Sequence, residues 1–212
     1  IIPDNFKYRP IKVVKDDKGY IYILSDGSYY GTILYSPDHE FLGFYGANPV
    51  KTDVLGVLKS LWDRLTMNDT KRGATVKQLP YQFTDMVVDE KGFVYTATGN
   101  TGQESQSGQI KRLNPAGDNV LDSDTVNFAD VGYNIKNQDL CGIDIDSNGY
   151  IYVLDSTYGR IFVYDSESKL LCAFGSGESE GNQKGSFKNL VAITLHEDKI
   201  LACDKAKGTI TV

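Results

Sequence analysis

The stretch CGIDIDSNGYIYVLDSTYGRIFVYDSESKLLCAFG, residues 141–175, holds short apolar runs separated by small polar turns. Its phrasing returns elsewhere in the chain. Aligned on the turn glycine, IKVVKDDKGYIYILSD (11–26), TDMVVDEKGFVYTATG (84–99) and CGIDIDSNGYIYVLDS (141–156) are versions of one hairpin. LVAITLHEDKILACDK (190–205) is a weaker copy that has lost the glycine.

Each copy follows the same grammar. A short apolar strand ends in a polar turn such as Asp17-Lys18-Gly19 or Ser147-Asn148-Gly149, where glycine supplies a positive φ. A second strand and a loop of varying length follow. The third strands are GTILYS (31–36), GQIKRL (108–113), GRIFVYD (159–165) and GTITV (208–212). Another short turn leads to a fourth strand: FLGFYG (41–46), NVL (119–121) or LLCAFG (170–175). The pattern predicts four-stranded antiparallel meanders.

The second strands carry further information. YIYIL (20–24) and YIYVL (150–154) do not alternate apolar with polar residues. A sheet with one wet face should alternate, whereas a strand covered on both faces need not. Meanders covered on both faces fit radial stacking, each sheet against two neighbours. The expected fold is all-β: a β-propeller of four-stranded blades, with repeats at 11–46, 84–121, 141–175 and 190–212, the last incomplete.

GNQKGSFKNLVAI (181–193) resembles the linker of NHL-repeat propellers, Gly-x-x-x-Gly-x-Phe-x-x-Pro, with Gly181, Gly185 and Phe187 matching and Leu190 in place of the proline. The phrase from 146 to 175 reads like an almost complete NHL repeat. The resemblance implies a six-bladed, TolB-like ring, of which this chain would be a segment, or closure into four blades. A segment leaves an apolar blade face bare, and self-association would cover it. NHL domains bind proteins, RNA or small molecules, and some relatives are enzymes. With its interruption after the first blade, the arrangement also resembles that of NHL-containing bacterial extracellular proteins, which implies a place outside the cell or on its surface.

Residues 51–80, KTDVLGVLKSLWDRLTMNDTKRGATVKQLP, interrupt the pattern. Val54, Leu58, Leu61 and Leu65 recur at helical spacing beside Leu55 and Trp62. Thr52 or Asp53 can cap the start and Pro80 ends the segment. This predicts a helical insertion between the first two blades. Its apolar stripe either packs on the propeller rim or, with Trp62 and a locally basic face, recruits a partner.

Composition narrows the function. The 212-residue chain carries a net charge of -6, which argues against nucleic-acid binding. It contains no apolar run long enough to span a membrane as a helix. Its three cysteines, Cys141, Cys172 and Cys203, show no CxxC spacing and read as buried thiols. The chain opens on Ile rather than Met, as a processed product or a segment of something longer would.

Catalytic signatures are weak. His39 and His196, the two histidines, have no partner at metal-ligand spacing, which disfavours the zinc-using lyase relatives. GSGESEGNQKGS (175–186) has Lys-Gly-Ser instead of the phosphate-loop order Gly-Lys-Ser, and no helix follows. The gluconolactonase-like relatives use calcium on oxygen ligands. Asp85, Asp139, Asp155, Asp204 and Asn137 could imitate that set. Strand ends also place Asp there for turn chemistry, and the structural role is the expected one.

Loop lengths point to a surface instead. Turns on one face are uniformly tight, while the long segments 47–80, 99–109, 122–139 and 175–189 all open on the other. Loop length concentrated on one side suggests that this side meets something. The expected anchors are Tyr29, Tyr30, Tyr158 and Arg160, with Trp62 as a further contact. The expected function is a non-catalytic binding or scaffold module for a protein or other ligand, without cofactor or metal. The alternative is a calcium-dependent, gluconolactonase-like hydrolase.

Overall fold

A computed structural model describes residues 8–28, 30–46, 82–99, 109–121, 139–175 and 185–212. The predicted helical insertion at 51–80 lies outside these residues, as do Tyr29, Trp62 and Asn137. The chain divides into two compact units, Ile1–Gln82 and Phe83–Val212.

The first unit holds one sheet in the order β1 (Pro10–Lys15), β2 (Ile21–Ser25), β3 (Gly31–Tyr35), β4 (Phe41–Gly46). All its pairs are antiparallel. The predicted strand limits hold to within a residue. The turn glycine Gly19 has φ 92, and Asp16 Oδ1 accepts the Tyr20 amide at 2.8 Å. Thus the acid that ends the first strand closes the turn while glycine takes the left-handed backbone.

The second unit holds three antiparallel sheets. The second sheet of the chain is β5 (Phe83–Val88), β6 (Val94–Thr98), β7 (Ile110–Leu113). The third is β8 (Leu140–Ile145), β9 (Ile151–Asp155), β10 (Arg160–Tyr164), β11 (Leu170–Phe174). The fourth is β12 (Leu190–His196), β13 (Lys199–Asp204), β14 (Thr209–Thr211).

The third sheet is covered on both sides. On one side Ile143, Ile151, Val153, Phe162 and Tyr164 join Tyr95, Ala97 and Ile110 of the second sheet in one core. On the other, Leu154 and Ile161 pack with Phe187, Leu190, Ile193 and Ala202 of the fourth. Successive side chains of a strand point to opposite faces, so double coverage requires apolar residues at nearly every position. β9 and β10 meet that demand: Val153, Leu154, Ile161 and Phe162 are fully buried. β11, at the sheet's edge, does not, and Leu171 remains half exposed.

Carboxylates tie neighbouring sheets together. β8 and β12 are edge strands, so alternate amides lack a partner within their own sheets. Asp85 Oδ2 on β5 accepts the Ile143 amide of β8 at 3.0 Å. Asp144 Oδ2 on β8 accepts the Leu195 amide of β12 at 2.8 Å and the Thr194 hydroxyl at 3.1 Å.

Three expectations need correction. The thiols are not all buried: Cys172 is exposed, and Cys141 and Cys203 are half-buried. The NVL segment (119–121) is not a fourth strand in the second sheet; Asn119 makes only an isolated bridge to Leu113. The Asn119 side chain accepts the Arg112 and Leu121 amides, taking the place of ladder bonds. The fourth copy is also misaligned by one residue in its first strand. Leu190 opposes Asp204 as Leu140 opposes Asp155, because the β12–β13 turn is only Glu197-Asp198. Glu197 takes φ 54 there, the left-handed role that glycine plays in the other copies.

Double coverage sets the expected stability pattern. Phe162→Ala should cost about 3–5 kcal/mol in urea unfolding, the usual range for deleting a buried aromatic ring. Leu171→Ala on the exposed edge should stay within about 0.5 kcal/mol.

Candidate functional site

The second strand of every sheet ends on a small polar residue: Ser25, Thr98, Asp155 and Asp204. All are buried. Three of them tie down the chain entering the first strand of the same sheet. Ser25 Oγ accepts the Arg9 amide at 2.9 Å. Asp155 Oδ1 accepts the amides of Asp139 and Thr157 at 3.1 and 3.0 Å. Asp204 is the most heavily used: Oδ1 accepts from Asn189, Ala206 and Lys207, and Oδ2 from Lys188 at 2.6 Å.

Asp155 and Asp204 occupy the same place in their sheets but titrate in opposite directions. At Asp204 burial alone would raise the pKa, yet four backbone N–H groups outweigh it and hold the carboxyl below its ordinary value. At Asp155 burial dominates and pushes the pKa up to about 6, with two backbone amides and the Arg160 charge only partly offsetting it. The nearby Asp139 charge pushes the same way as burial. Asp155 Oδ2 accepts no hydrogen bond among the described residues.

Around Asp155 lies a compact polar corner in the turn from β9 to β10. Ser156 donates its hydroxyl to the Asp139 backbone carbonyl and lies equally close, at 3.1 Å, to Asp139 Oδ2. The Arg160 guanidinium sits over the Tyr158 ring, 5.2 Å from its centroid. Gly159, between them, has φ 58 and packs under Phe187, whose carbonyl is 3.2 Å from where a Cβ would stand. Cys141 borders the corner. Burial pushes its thiol up to about 12, so it stays protonated at neutral pH and is a poor nucleophile.

A cleft of about 750 Å³ lies between the outer strands of the third and fourth sheets. Ile161, Phe174, Phe187 and Ile200 form its apolar walls, and Lys207 and Lys199 supply charge. Lys207 Nζ is anchored 2.7 Å from the Ser186 carbonyl. An apolar cleft with a few fixed polar groups is the usual form of a small-ligand or peptide site.

The structure therefore brings Tyr158 and Arg160 together. Tyr30 lies in the first unit, its ring 5.0 Å from that of Phe44. Of the oxygen groups proposed for calcium, Asp204 holds backbone amides with both oxygens, and Asp85 does so with Oδ1 to Met86 and Oδ2 to Ile143. Among the described residues no three His, Cys, Asp or Glu side chains are grouped to hold a metal ion. No helix among these residues is long and apolar enough to cross a membrane. Sequence reading missed the contrast between Asp155 and Asp204, which depends on donor count. The recurrence of Ser, Thr or Asp at this strand end was the available signal.

No family model matches the chain, and no curated protein does. Solved structures do. A virginiamycin B lyase from Staphylococcus aureus matches with a TM-score of 0.50 at 16% identity, over 98% of this chain and 56% of that one. A streptogramin B lyase structure matches with a TM-score of 0.55 at 12% identity, over 99% and 55%. The WD40 domain of Neurospora crassa Pan2 matches with a TM-score of 0.51 at 12% identity, over 99% and 51%. These are propeller-type proteins, and at such identities the likeness concerns fold alone: the chain is β-propeller-like. It spans about half the length of these neighbours.

The paired acids yield a test of opposite sign. The native Asp155 carboxyl, at about 6 against an ordinary 3.8, binds its proton more tightly than the unfolded chain does. Its contribution to stability is present below pH 4 and is lost as pH rises through 6, about 3 kcal/mol in all. Asp155→Asn should therefore raise the melting temperature at pH 7.5, with a smaller difference at pH 4. Asp204 has a lowered pKa, so its contribution is present above the unfolded value and is lost as pH falls through the native one. Asp204→Asn should destabilise by about 2 kcal/mol at pH 7.5, since it weakens charge-assisted bonds, and less below pH 4. Thermal unfolding across pH reads both.

Proposed function

We propose that the chain is part of a non-catalytic, NHL-type propeller that binds a protein or other ligand through its loop-rich face. The observation that carries this reading is Arg160 held over Tyr158 in the turn from β9 to β10. Arginine stacked on tyrosine gives a rigid, half-desolvated cation beside an aromatic edge, the residue pair most used at binding hot spots. On this reading the apolar cleft lined by Ile161, Phe174 and Phe187 of the same unit takes an apolar side chain of the ligand. Tyr29, Tyr30 and Trp62 are further anchors of the same reading. An extracellular or cell-surface place follows from the NHL resemblance and belongs to the proposal.

The site is built for binding more than for turnover. Its thiol is held protonated by burial, and Asp155 Oδ1 and both Asp204 oxygens accept backbone amides. The calcium-hydrolase alternative needs acids with oxygens to spare. Asp85 and Asp204 have committed theirs to the fold.

Two measurements test the reading. A peptide ligand selected against the wild-type chain should lose roughly tenfold or more in affinity to the double variant Tyr158→Ala/Arg160→Ala, with the wild-type circular dichroism spectrum retained. Undiminished binding would refute the assigned face. Millimolar calcium should leave the melting temperature where it is; a rise would revive the hydrolase reading, since a native-state ligand stabilises.

A further inference from the structure

The repeats provide an internal control on which surfaces are incomplete. The third strands of the second, third and fourth sheets place an isoleucine at one equivalent position. Ile110 opposes Ala97, Ile161 opposes Leu154, and Ile210 opposes Cys203. Ile110 is 1% exposed and Ile161 0%, because each is covered by the following sheet; Ile210 is 67% exposed. Ala192, opposite Cys203 on the same face, is exposed as well. The first strands show the converse. Val13, Met86, Ile143 and Ile193 occupy one position, opposite Ile23, Thr96, Val153 and Ala202. Met86, Ile143 and Ile193 are 0%, 1% and 7% exposed, and Val13 is 57% exposed.

The contact these positions make is directional. The face of the second sheet that carries Ala97 and Ile110 receives Ile143 and Val153 of the third. The face of the third sheet that carries Leu154 and Ile161 receives Ile193 and Ala202 of the fourth. The open face of the fourth sheet, Ala192, Cys203 and Ile210, calls for the same kind of counterpart. The first sheet has that counterpart in Val13 and Ile23, with Val13 in solvent.

We propose that this face is an interface between copies of the chain: the Val13–Ile23 face of one copy docks on the Ile210–Cys203–Ala192 face of another. Chain length fits this occupant. The chain covers 56%, 55% and 51% of the propeller-type structures it matches, so two copies have about the length of one such propeller. The chemistry fits as well, because a neutral apolar face of isoleucine, cysteine and alanine meets valine and isoleucine, as it does twice within the chain.

Sedimentation velocity on the 212-residue chain tests this. The wild type should associate as concentration rises. Val13→Asp and Ile210→Asp should each associate roughly tenfold or more weakly, because a carboxylate would be buried without a partner. Both residues are exposed in the single copy, so circular dichroism and melting temperature should match the wild type. An equimolar mixture of the two variants should regain a heterodimer, since each keeps the face the other has lost. A wild type that stays monomeric overturns the proposal, as does association of Val13→Asp alone as strong as the wild type's, or a mixture that remains monomeric.

Discussion

The third sheet cannot exist as it does without a sheet on each side of it. β9 and β10 carry apolar side chains to both faces, and water on either face would expose residues such as Val153 or Leu154 that are now fully buried. At about 25 cal/mol per Å² of apolar surface, uncovering even a few such side chains would cost a large share of a domain's net stability. The neighbours are held by polar links as well as by burial. Asp85 and Asp144 each reach across to an edge-strand amide of the following sheet, so the innermost strands are satisfied despite having no strand beside them. Apolar faces supply the driving force, and the carboxylates fix direction.

That stacking places the strand ends, and the strand ends make the candidate site. Each second strand delivers a polar residue to the same end of its sheet, where Asp155 and Asp204 clamp the incoming chain. At the third sheet the clamp is poorer in donors than at the fourth. There Arg160, Tyr158, Ser156 and Asp139 gather around a carboxyl whose proton is held more tightly than usual. Tyr158 and Arg160 stack in this turn, while Asp155 and Gly159 hold it in place.

Much of the fold was legible in the sequence because its signals are local. The turn glycines 19, 92 and 149 each mark a left-handed residue, and unbroken runs such as YIYVL announce coverage on both faces. The errors fell where a side chain replaced a local rule. Asn119 satisfies amides that a fourth strand would have paired, and the two-residue turn at Glu197-Asp198 shifts the fourth copy's first strand by one. The site was only half legible. Tyr158 and Arg160 were visible by residue type, but their pairing depends on the turn at Gly159. The bridging of Asp85 and Asp144 was not visible, because a strand-centre aspartate looks the same whether it meets solvent or a neighbouring backbone.

The direct test of the stacked arrangement is a set of methyl nuclear Overhauser effects on the isotopically labelled chain. The structure predicts cross-peaks from Ile143 and Val153 to Ala97 and Ile110, and from Leu154 and Ile161 to Ile193 and Ala202, so that one sheet touches two others. Loss of either set, with those methyls open to solvent, would contradict a third sheet enclosed on both faces.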